Sequence, residues 1–277
     1  MKLAYQISTP EVRVAPGVTA YQSDLETSFR RLKECGYEGA ELMVANPRTV
    51  DVDLVAKLAA KYSLEIPMVC TGECFGQEGL CFSDPDDAKR NEAIRRGKEA
   101  VDLAVKFGAQ INIGRFRGGH MFGFDDDLCL SRSNAGMKEV AAYAEKMGTK
   151  MAIEPVNPIA SNYINTTQEG LALLKTLNEP GASIMLDSNH MFLSDKNSID
   201  SIREAKGKFT YVHLVDSNRL WPGNCKIDFE KFIGTLKEVG YDGWLSVEVF
   251  QRPNQDYCLE ASANHIIPIL KKLGLRK

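Results

Sequence analysis

The sequence predicts an α/β protein of the (β/α)₈ TIM-barrel class, in one domain over residues 1–277. Three observations lead to this prediction: apolar β-branched runs alternate with stretches of helical period, the alternation occurs eight times, and glycine marks the short connections. Alternating β and α units indicate a parallel sheet, and eight units in about 250 residues match a closed barrel. An open doubly wound sheet is the alternative, but the first connection, STPEVRVAPG, lacks the glycine-rich turn that such sheets usually carry.

Each of the eight units begins with a short run of apolar and β-branched residues, which is typical of a strand. In order, the predicted strands are LAYQIS (3–8), GAELMV (39–44), IPMVCTG (66–72), QINIGRF (110–116), KMAIEPV (150–156), SIMLD (183–187), TYVHLVD (210–216) and WLSVEVF (244–250). No shift in composition interrupts the series, so we expect these strands to belong to one sheet.

A stretch with apolar residues at helical spacing follows each strand, and a glycine or asparagine usually stops it. The predicted helices lie at 24–36, 52–64, 87–108, 131–148, 167–178, 198–207, 228–240 and 256–273. The segments KECGYEGAEL and KEVGYDGWLS, near opposite ends of the chain, resemble each other. This likeness indicates an internal periodicity, as a repeated β/α unit requires.

Composition and charge exclude several classes of protein. Hydrophobic residues make up 44% of the chain and charged residues 26%, as in an ordinary soluble globular protein with an ample core. The net charge is −3 and no basic block occurs, which disfavours nucleic acid as a partner. We expect no membrane partner either, because no apolar run reaches the length of a membrane span. The N-terminal MKLAYQISTP is too short and too polar for a secretory signal.

The seven cysteines are scattered along the chain, and no CxxC pair occurs among them. This pattern is typical of reduced thiols in the cytosol rather than of a disulfide framework or a zinc knuckle. We therefore expect a cytoplasmic protein whose cysteines are small buried residues.

Four ionisable residues fall near the carboxyl ends of the last four predicted strands: Glu154, Asp187, His213 and Glu248. Catalysis in such barrels takes place at those ends, and consecutive strands are neighbours, so the four side chains should converge. Taken singly, each has a plainer interpretation as a salt-bridged acid or a hydrogen-bonded core histidine. Together they favour a metal site. Three carboxylates and one imidazole suit one divalent metal such as Mn²⁺, Mg²⁺ or Co²⁺, and Zn²⁺ stays open.

Polar residues close to these strand ends predict a substrate pocket. His190 lies three residues after Asp187, and Arg219 lies three residues after Asp216. The segment RLWPG then offers the flat apolar face of Trp221. We predict that His190, Asp216, Arg219 and Trp221 contact the substrate. The alternatives are a helix-capping role for His190 and a packing role for Trp221.

The loop after the fourth strand, GRFRGGHMFG (114–123), carries Arg115 and Arg117 among glycines. Such a pair could clamp a carboxylate or phosphate on the substrate, and a mobile solvent-facing lid is the alternative. The loops after strands seven and eight lack a glycine-rich phosphate cradle, so we expect an unphosphorylated ligand. The two arginines indicate an acidic ligand.

MAIEPVN, IMLDSNH, VHLVDSNRLWPG and LSVEVF, in that order, resemble the corresponding segments of the xylose-isomerase-like TIM barrels. Within that family the sequence is most similar to ketose 3-epimerases of the D-tagatose and D-psicose type and to keto-sugar-acid epimerases. The resemblance covers the whole chain and is most specific over 150–250. It implies a metal, usually manganese, held by Glu154, Asp187, His213 and Glu248. It also implies sugar contacts from His190 and Arg219, and a homodimer or homotetramer.

The resemblance further implies an epimerase of a ketose or keto-sugar acid that inverts a carbon next to the carbonyl through an enediolate. The two glutamates, Glu154 and Glu248, would then be the acid/base pair. The sequence departs from the family's pattern at three positions. Pro158 and Ala160 stand where relatives commonly have an arginine and a substrate-contacting glutamate, and Cys225 stands where a glycine is usual. These departures concern the identity of the sugar rather than the metal chemistry.

Three other functions are compatible with the same barrel. An aldose–ketose isomerase would use the same enediolate and move the carbonyl from C2 to C1. A DNA-repair endonuclease would need several histidines around multiple zinc ions, whereas this acidic chain has four histidines in all. A non-catalytic sugar-binding barrel is expected to have lost one of the glutamates, and both Glu154 and Glu248 are present.

Overall fold

Eight parallel strands form a closed barrel in the order of the sequence. The computed structural model describes residues 1–276. The strands are β1 (Lys2–Ser8), β2 (Gly39–Met43), β3 (Met68–Cys70), β4 (Gln110–Ile113), β5 (Met151–Ile153), β6 (Ala182–Asp187), β7 (Phe209–Leu214) and β8 (Trp244–Val247). Parallel pairing of β1 with β8 closes the ring. The predicted fold class, a (β/α)₈ barrel, is confirmed.

The helices surround the barrel and bury their apolar faces against it. They are α1 (Leu25–Glu34), α2 (Val52–Tyr62), α3 (Gly72–Gly76), α4 (Asp87–Val105), α5 (Asp126–Lys146), α6 (Thr167–Leu177), α7 (Ser188–Ser194), α8 (Ser198–Glu204), α9 (Phe229–Glu238) and α10 (Gln255–Lys272). None of these helices in the described chain is both long and apolar enough to cross a membrane.

Side-chain caps determine where the helices begin. Asp24, Asp51 and Asp228 each accept a backbone N–H from the first turn of the helix that follows. Helix α5 begins at Asp126, five residues before the predicted start, because Asp125 caps it and two acidic residues follow in its first turn. Such caps satisfy N–H groups that have no partner inside the helix, and the acidic residues favour its positive end.

Several predicted strands end earlier in the structure than in the sequence pattern. Strand β4 stops before Gly114, and β5 stops before Glu154 and Pro155. A proline cannot donate a ladder hydrogen bond, so the chain leaves the sheet there. Two short helices that the sequence did not predict, α3 and α7, follow β3 and β6 directly and lie at the mouth of the barrel.

The residues two positions before the four predicted metal ligands form the layer below them. These residues are Ala152, Met185, Tyr211 and Ser246, and all are fully buried. Because side chains alternate across a strand, a ligand and the residue two places earlier point to the same side, here the inside of the barrel. The register shift between β6 and β7 pairs Asp187 directly with His213. The four ligands therefore lie above a packed floor at the carboxyl end of the barrel.

Candidate metal centre

The side chains of the four predicted metal ligands converge at the carboxyl end of the barrel. Glu154, Asp187, His213 and Glu248 each offer one ligand atom, and these atoms all lie within 4.8 Å of one another. All four residues are buried, with at most 7% of their surface exposed. Three carboxylates brought this close in a dry environment repel one another unless a cation lies between them.

Two buried atoms of this cluster, Oε1 of Glu154 and Nδ1 of His213, have no hydrogen-bond partner within residues 1–276. His213 Nδ1 lies 3.6 Å from that oxygen, 3.8 Å from Asp187 Oδ2 and 3.5 Å from Glu248 Oε2. Buried polar atoms without partners are rare and costly, and a bound ion is one of the few explanations. The donor set of three carboxylates and one imidazole suits a divalent cation, so the residues present fit one.

The opposite nitrogen of His213 is held by a buried glutamate of β2. His213 Nε2 lies 3.1 Å from each carboxylate oxygen of Glu41, which is itself fully buried. Glu41 also accepts hydrogen bonds from the Tyr211 hydroxyl at 3.1 Å and the Gln6 amide at 2.9 Å. A carboxylate on Nε2 keeps the proton on that nitrogen and leaves the Nδ1 lone pair free for a metal.

Sequence reasoning missed Glu41. Its one signal was a charged residue in the middle of the apolar strand GAELM. Burial lowers the pKa of His213, but the nearby carboxylates of Glu41 and Glu248 outweigh burial and hold this pKa well above its usual range. The surroundings of His213 therefore favour positive charge at this point in the barrel.

Arg219 reaches across the cluster from the loop after β7. Its Nη1 donates to Asp187 Oδ2 at 3.0 Å, and its Nη2 donates to Glu248 Oε2. Burial opposes ionisation of Glu248, yet Arg219 and His213 hold the pKa of this carboxyl well below its usual range. Burial raises the pKa of Asp187, and Arg219 only partly opposes this. Arg219 thus brings a fixed positive charge to the side of the site that faces the cavity.

His190 lies on α7, whose first turn is capped by Asp187. Its Nδ1 is 2.8 Å from Nδ2 of Asn157, and the side-chain oxygen Oδ1 of Asn157 accepts a hydrogen bond from the backbone N–H of Ile159. His190 Nε2 faces the cluster, 3.7 Å from Glu154 Oε1. Burial, reinforced by Arg219, lowers the pKa of His190 to about 3. The ring is therefore neutral, with one nitrogen directed at the site.

A cavity of about 450 Å³ opens above the cluster. Its walls include both glutamates of the cluster, His190 and Arg219, together with apolar side chains such as Met43 and Phe250. Arg115 also lines it and forms an ion pair with Glu73 at 3.6 Å. A concave site with a few convergent polar groups is typical of small-molecule binding.

The family model for xylose isomerase-like TIM barrels matches residues 29–269 of this chain. The chain belongs to this family. An L-ribulose 3-epimerase from Mesorhizobium japonicum is 30% identical to it over 231 residues, which are 83% of this chain and 76% of the relative. A ketose 3-epimerase from Arthrobacter globiformis is 27% identical, covering 80% and 76% of the two chains. The D-allulose 3-epimerase crystal structure from Methylomonas sp. shares the fold, with a TM-score of 0.82, 22% identity and 98% coverage of each chain.

Arg117 was predicted to contact the substrate, but it does not line the cavity above the metal ligands. Its side chain is fully buried and donates to the carbonyl oxygens of Gly114, Glu154, Tyr163 and Ile164. Burial lowers the pKa of this guanidinium to about 10. Arg117 ties the loop after β4 to the loop after β5, so we correct its predicted role from substrate contact to structural support.

We expect Arg117→Met to lower the free energy of unfolding by about 3–5 kcal/mol, because several buried carbonyl groups would lose their donor at once. Arg115→Met is the matched control: its side chain is 39% exposed, so the loss should stay within about 1 kcal/mol. Urea denaturation followed by circular dichroism measures both values. Equal effects of the two substitutions would contradict the structural role of Arg117.

Asp216 and Trp221 also lie outside the cavity above the metal ligands. The Asp216 carboxylate is fully buried. It accepts backbone hydrogen bonds from Ser217, Gly223, Cys225, Lys226 and Ile227. It therefore organises the loop that carries Arg219. The Trp221 ring packs edge-on against Tyr257, with 5.7 Å between the ring centroids. Neither residue lines the cavity above the cluster, so we correct both predicted substrate contacts to supporting roles.

Proposed function

We propose that the protein is a divalent-metal-dependent epimerase of a ketose or keto-sugar acid and inverts a carbon next to the carbonyl. One observation carries the proposal: two buried glutamates, Glu154 and Glu248, flank a cation site at the bottom of a cavity sized for a small molecule. They extend from the ends of β5 and β8, which two other strands separate in the barrel. The names of the relatives, which are ketose 3-epimerases, support the same reaction class.

Inversion requires that a proton leave one face of the carbon and another return to the opposite face. In the proposed mechanism Glu154 serves one face and Glu248 the other, and the handedness of the substrate decides which of them acts as the base. A divalent cation bound by the four ligands would stabilise the negative charge that develops on the substrate oxygens. Asp187 and His213 would act mainly as ligands.

The two glutamates have different surroundings, which supports a division of labour. Among the described residues Glu154 Oε1 has no hydrogen-bond partner, as expected of an atom that would bind the cation. Glu248 is held by Arg219 and by the Thr19 hydroxyl at 3.2 Å. These contacts fix its orientation and favour its ionised form. Glu248 is thus positioned before the substrate arrives.

We also propose that His190 and Arg219 bind the sugar. A neutral imidazole can hydrogen-bond a substrate hydroxyl or carbonyl oxygen without adding charge. Arg219 offers a cationic fork that can turn from the carboxylates to substrate oxygens. By resemblance to the family, we propose manganese as the metal, a homodimer or homotetramer as the assembly, and the cytoplasm as the location.

The experiment that tests the proposal uses the Mn²⁺-loaded protein, a panel of ketoses and keto-sugar acids, and D₂O as solvent. We expect one substrate to give its epimer with deuterium at the inverted carbon, as measured by NMR. Removal of the metal by a chelator should stop the reaction, and added Mn²⁺ should restore it. An aldose product would contradict the epimerase proposal and favour an aldose–ketose isomerase. The absence of any exchange would instead favour a non-catalytic barrel.

A further inference from the structure

Asn112 lies near the end of β4, on the wall of the cavity above the metal ligands. In the sheet it pairs with Cys70 of β3 and with Ala152 of β5, and it is only 2% exposed. In the closed ring, β3 and β4 lie opposite β7 and β8, the strands that position His213 and Glu248. A small molecule bound at the metal ligands therefore has Asn112 on its far side.

The orientation of the Asn112 amide is fixed by Thr71, the residue that follows β3. The backbone N–H of Thr71 donates to Asn112 Oδ1 at 3.0 Å, and the Thr71 hydroxyl donates to the backbone carbonyl oxygen of Asn112 at 2.7 Å. A backbone N–H can only donate, so it selects the oxygen of the side-chain amide and leaves the nitrogen Nδ2 on the other side. Nδ2 cannot exchange places with the oxygen without breaking the contact with Thr71.

Nδ2 of Asn112 makes no hydrogen bond in the described part of the chain, although this residue is almost completely buried. Two other buried asparagines that line the same cavity differ in this respect. Asn189 Nδ2 donates to the carbonyl oxygen of Asp216 at 2.9 Å, and Asn157 Nδ2 lies 2.8 Å from His190 Nδ1. Buried amide donors are normally paired, so a donor that opens on a cavity is expected to be satisfied by what fills the cavity.

The cavity wall around Asn112 is either uncharged or already paired. Met43 and Cys70 line it from β2 and β3, and burial raises the pKa of the Cys70 thiol well above its usual range, so this thiol is neutral. The carboxylate of Glu73 is paired with Arg115 at 3.6 Å. Asn112 Nδ2 therefore presents a neutral donor to a ligand, which suits a hydroxyl or carbonyl oxygen better than an ammonium or a methyl group.

We propose that Asn112 is a specificity-determining residue, which donates a hydrogen bond from Nδ2 to a hydroxyl oxygen on a substrate carbon away from the reacting one. This proposal rests on the proposed epimerase function and adds a contact to it. The reacting carbon would lie between Glu154 and Glu248, so the oxygen that reaches the wall of β3 and β4 belongs to another part of the carbon chain. A sugar without that hydroxyl would expel water from the cavity and leave Nδ2 unpaired, which costs binding.

The test removes the hydroxyl from the sugar and the amide from the protein in turn. Deuterium incorporation from D₂O by the Mn²⁺-loaded protein gives kcat/KM for D-fructose, D-tagatose and L-sorbose, and then for the 4-deoxy, 5-deoxy and 6-deoxy analogues of the most active sugar. For one analogue we expect a loss of about 10–100-fold with the wild-type protein and of less than about threefold with Asn112→Leu. Equal losses with both proteins for all three analogues would overturn the proposal.

Thr71→Val separates the contact with the sugar from packing between the strands. Valine keeps the shape of threonine and the backbone N–H that orients the Asn112 amide, but it removes the 2.7 Å hydrogen bond to the Asn112 carbonyl oxygen. This variant should be less stable than the wild-type protein and should keep the full preference for the hydroxylated sugar. If Thr71→Val abolishes the preference as completely as Asn112→Leu does, Asn112 acts only by holding β3 and β4 together, and the proposal is wrong.

A binding measurement on the unaltered protein uses the NMR signals of the side-chain amides. The protein is labelled with ¹⁵N-asparagine and loaded with Mg²⁺, which does not broaden the signals as Mn²⁺ does. One of the three ketohexoses should shift the Nδ2 proton signals of Asn112 and slow their exchange with water. The signals of Asn189 are the control, because its amide lines the same cavity and is already paired. Asn112 signals that respond no more than those of Asn189 would contradict the proposed contact.

The failure of this proposal can be distinguished from the failure of the proposed function. If a sugar exchanges a proton with solvent but neither the deoxy analogues nor the amide signals single out Asn112, only the Asn112 proposal fails. If a sugar shifts the Asn112 signals without exchanging a proton, the epimerase proposal fails and the contact is confirmed. If no sugar exchanges a proton or shifts these signals, both proposals fail.

Discussion

Glu154→Gln and Glu248→Gln are each expected to lower the rate of epimerisation by a factor of about 10³, within the usual range for loss of a proton-transferring side chain. Glutamine keeps the size of glutamate and an oxygen that can face a metal, but it cannot accept a proton from carbon. Because inversion needs both faces of the carbon, the loss of either carboxylate should stop it. The rate is measured with Mn²⁺ in excess, and bound metal is quantified in each variant.

Starting from each epimer in turn separates the two roles. A variant that keeps one carboxylate should still exchange the proton that faces it, without inversion, and should fail to exchange the proton on the other face. Glu154→Gln and Glu248→Gln should therefore lose exchange from opposite epimers. Glu73→Gln is the control, because it neutralises a third buried carboxylate of the same cavity that is not part of the metal cluster. Normal inversion in either cluster variant would refute the acid/base pair.

The order of the elements could be predicted because hydrophobic periodicity distinguishes strands from helices in long segments. Predicted strand ends were less accurate, since residues such as Gly114 and Pro155 continue an apolar run while their backbone leaves the sheet. Helices α3 and α7 were missed because each is short and follows its strand almost directly, so its residues read as the end of the strand's apolar run. Both short helices lie at the mouth of the barrel, where the chain changes direction to form the site.

The four ligands were identifiable because their positions followed from two simple regularities. Parallel strands of a barrel end at one face, and side chains alternate along each strand. The roles of other residues could be assigned only from the three-dimensional structure. Arg117 and Arg115 are two residues apart in one loop, yet the first turns inward to carbonyl oxygens and the second faces the cavity. No local pattern distinguishes these two orientations of an arginine side chain.

The role of Glu41 also could not be predicted from the sequence. Its strand pattern predicts a buried residue, and an ionised side chain is expensive to bury without partners. Those partners come from strands far away in sequence: Gln6 on β1 and both Tyr211 and His213 on β7. Only the closure of the barrel brings β7 and β2 to face each other across its interior. Long-range contacts of this kind leave no trace in a single sequence beyond an out-of-place charge.

Glu41→Leu is expected to weaken Mn²⁺ binding by a factor of about 10–100, the usual effect of removing the group that orients a metal-binding histidine. Without Glu41, His213 Nε2 loses its acceptor, and either nitrogen can then carry the proton. Mn²⁺ affinity is measured by isothermal titration calorimetry, and the position of the His213 proton by ¹⁵N NMR of the metal-free protein. Unchanged affinity together with an unchanged proton position would contradict the role assigned to Glu41.

Two further variants separate positioning from packing. Glu41→Gln keeps an oxygen that can accept from His213 Nε2, so most of the affinity lost in the leucine variant should return. Tyr211→Phe removes a different hydrogen bond of Glu41, at 3.1 Å, while the Glu41–His213 contact remains, so Mn²⁺ affinity should change little. If Glu41 only stabilised the fold, Glu41→Leu would not be the variant with the weakest Mn²⁺ binding. The leucine variant removes a buried charge and can even stabilise the fold. Metal affinity and protein stability should therefore change independently across these variants, because Glu41 acts on the metal through the orientation of one imidazole ring.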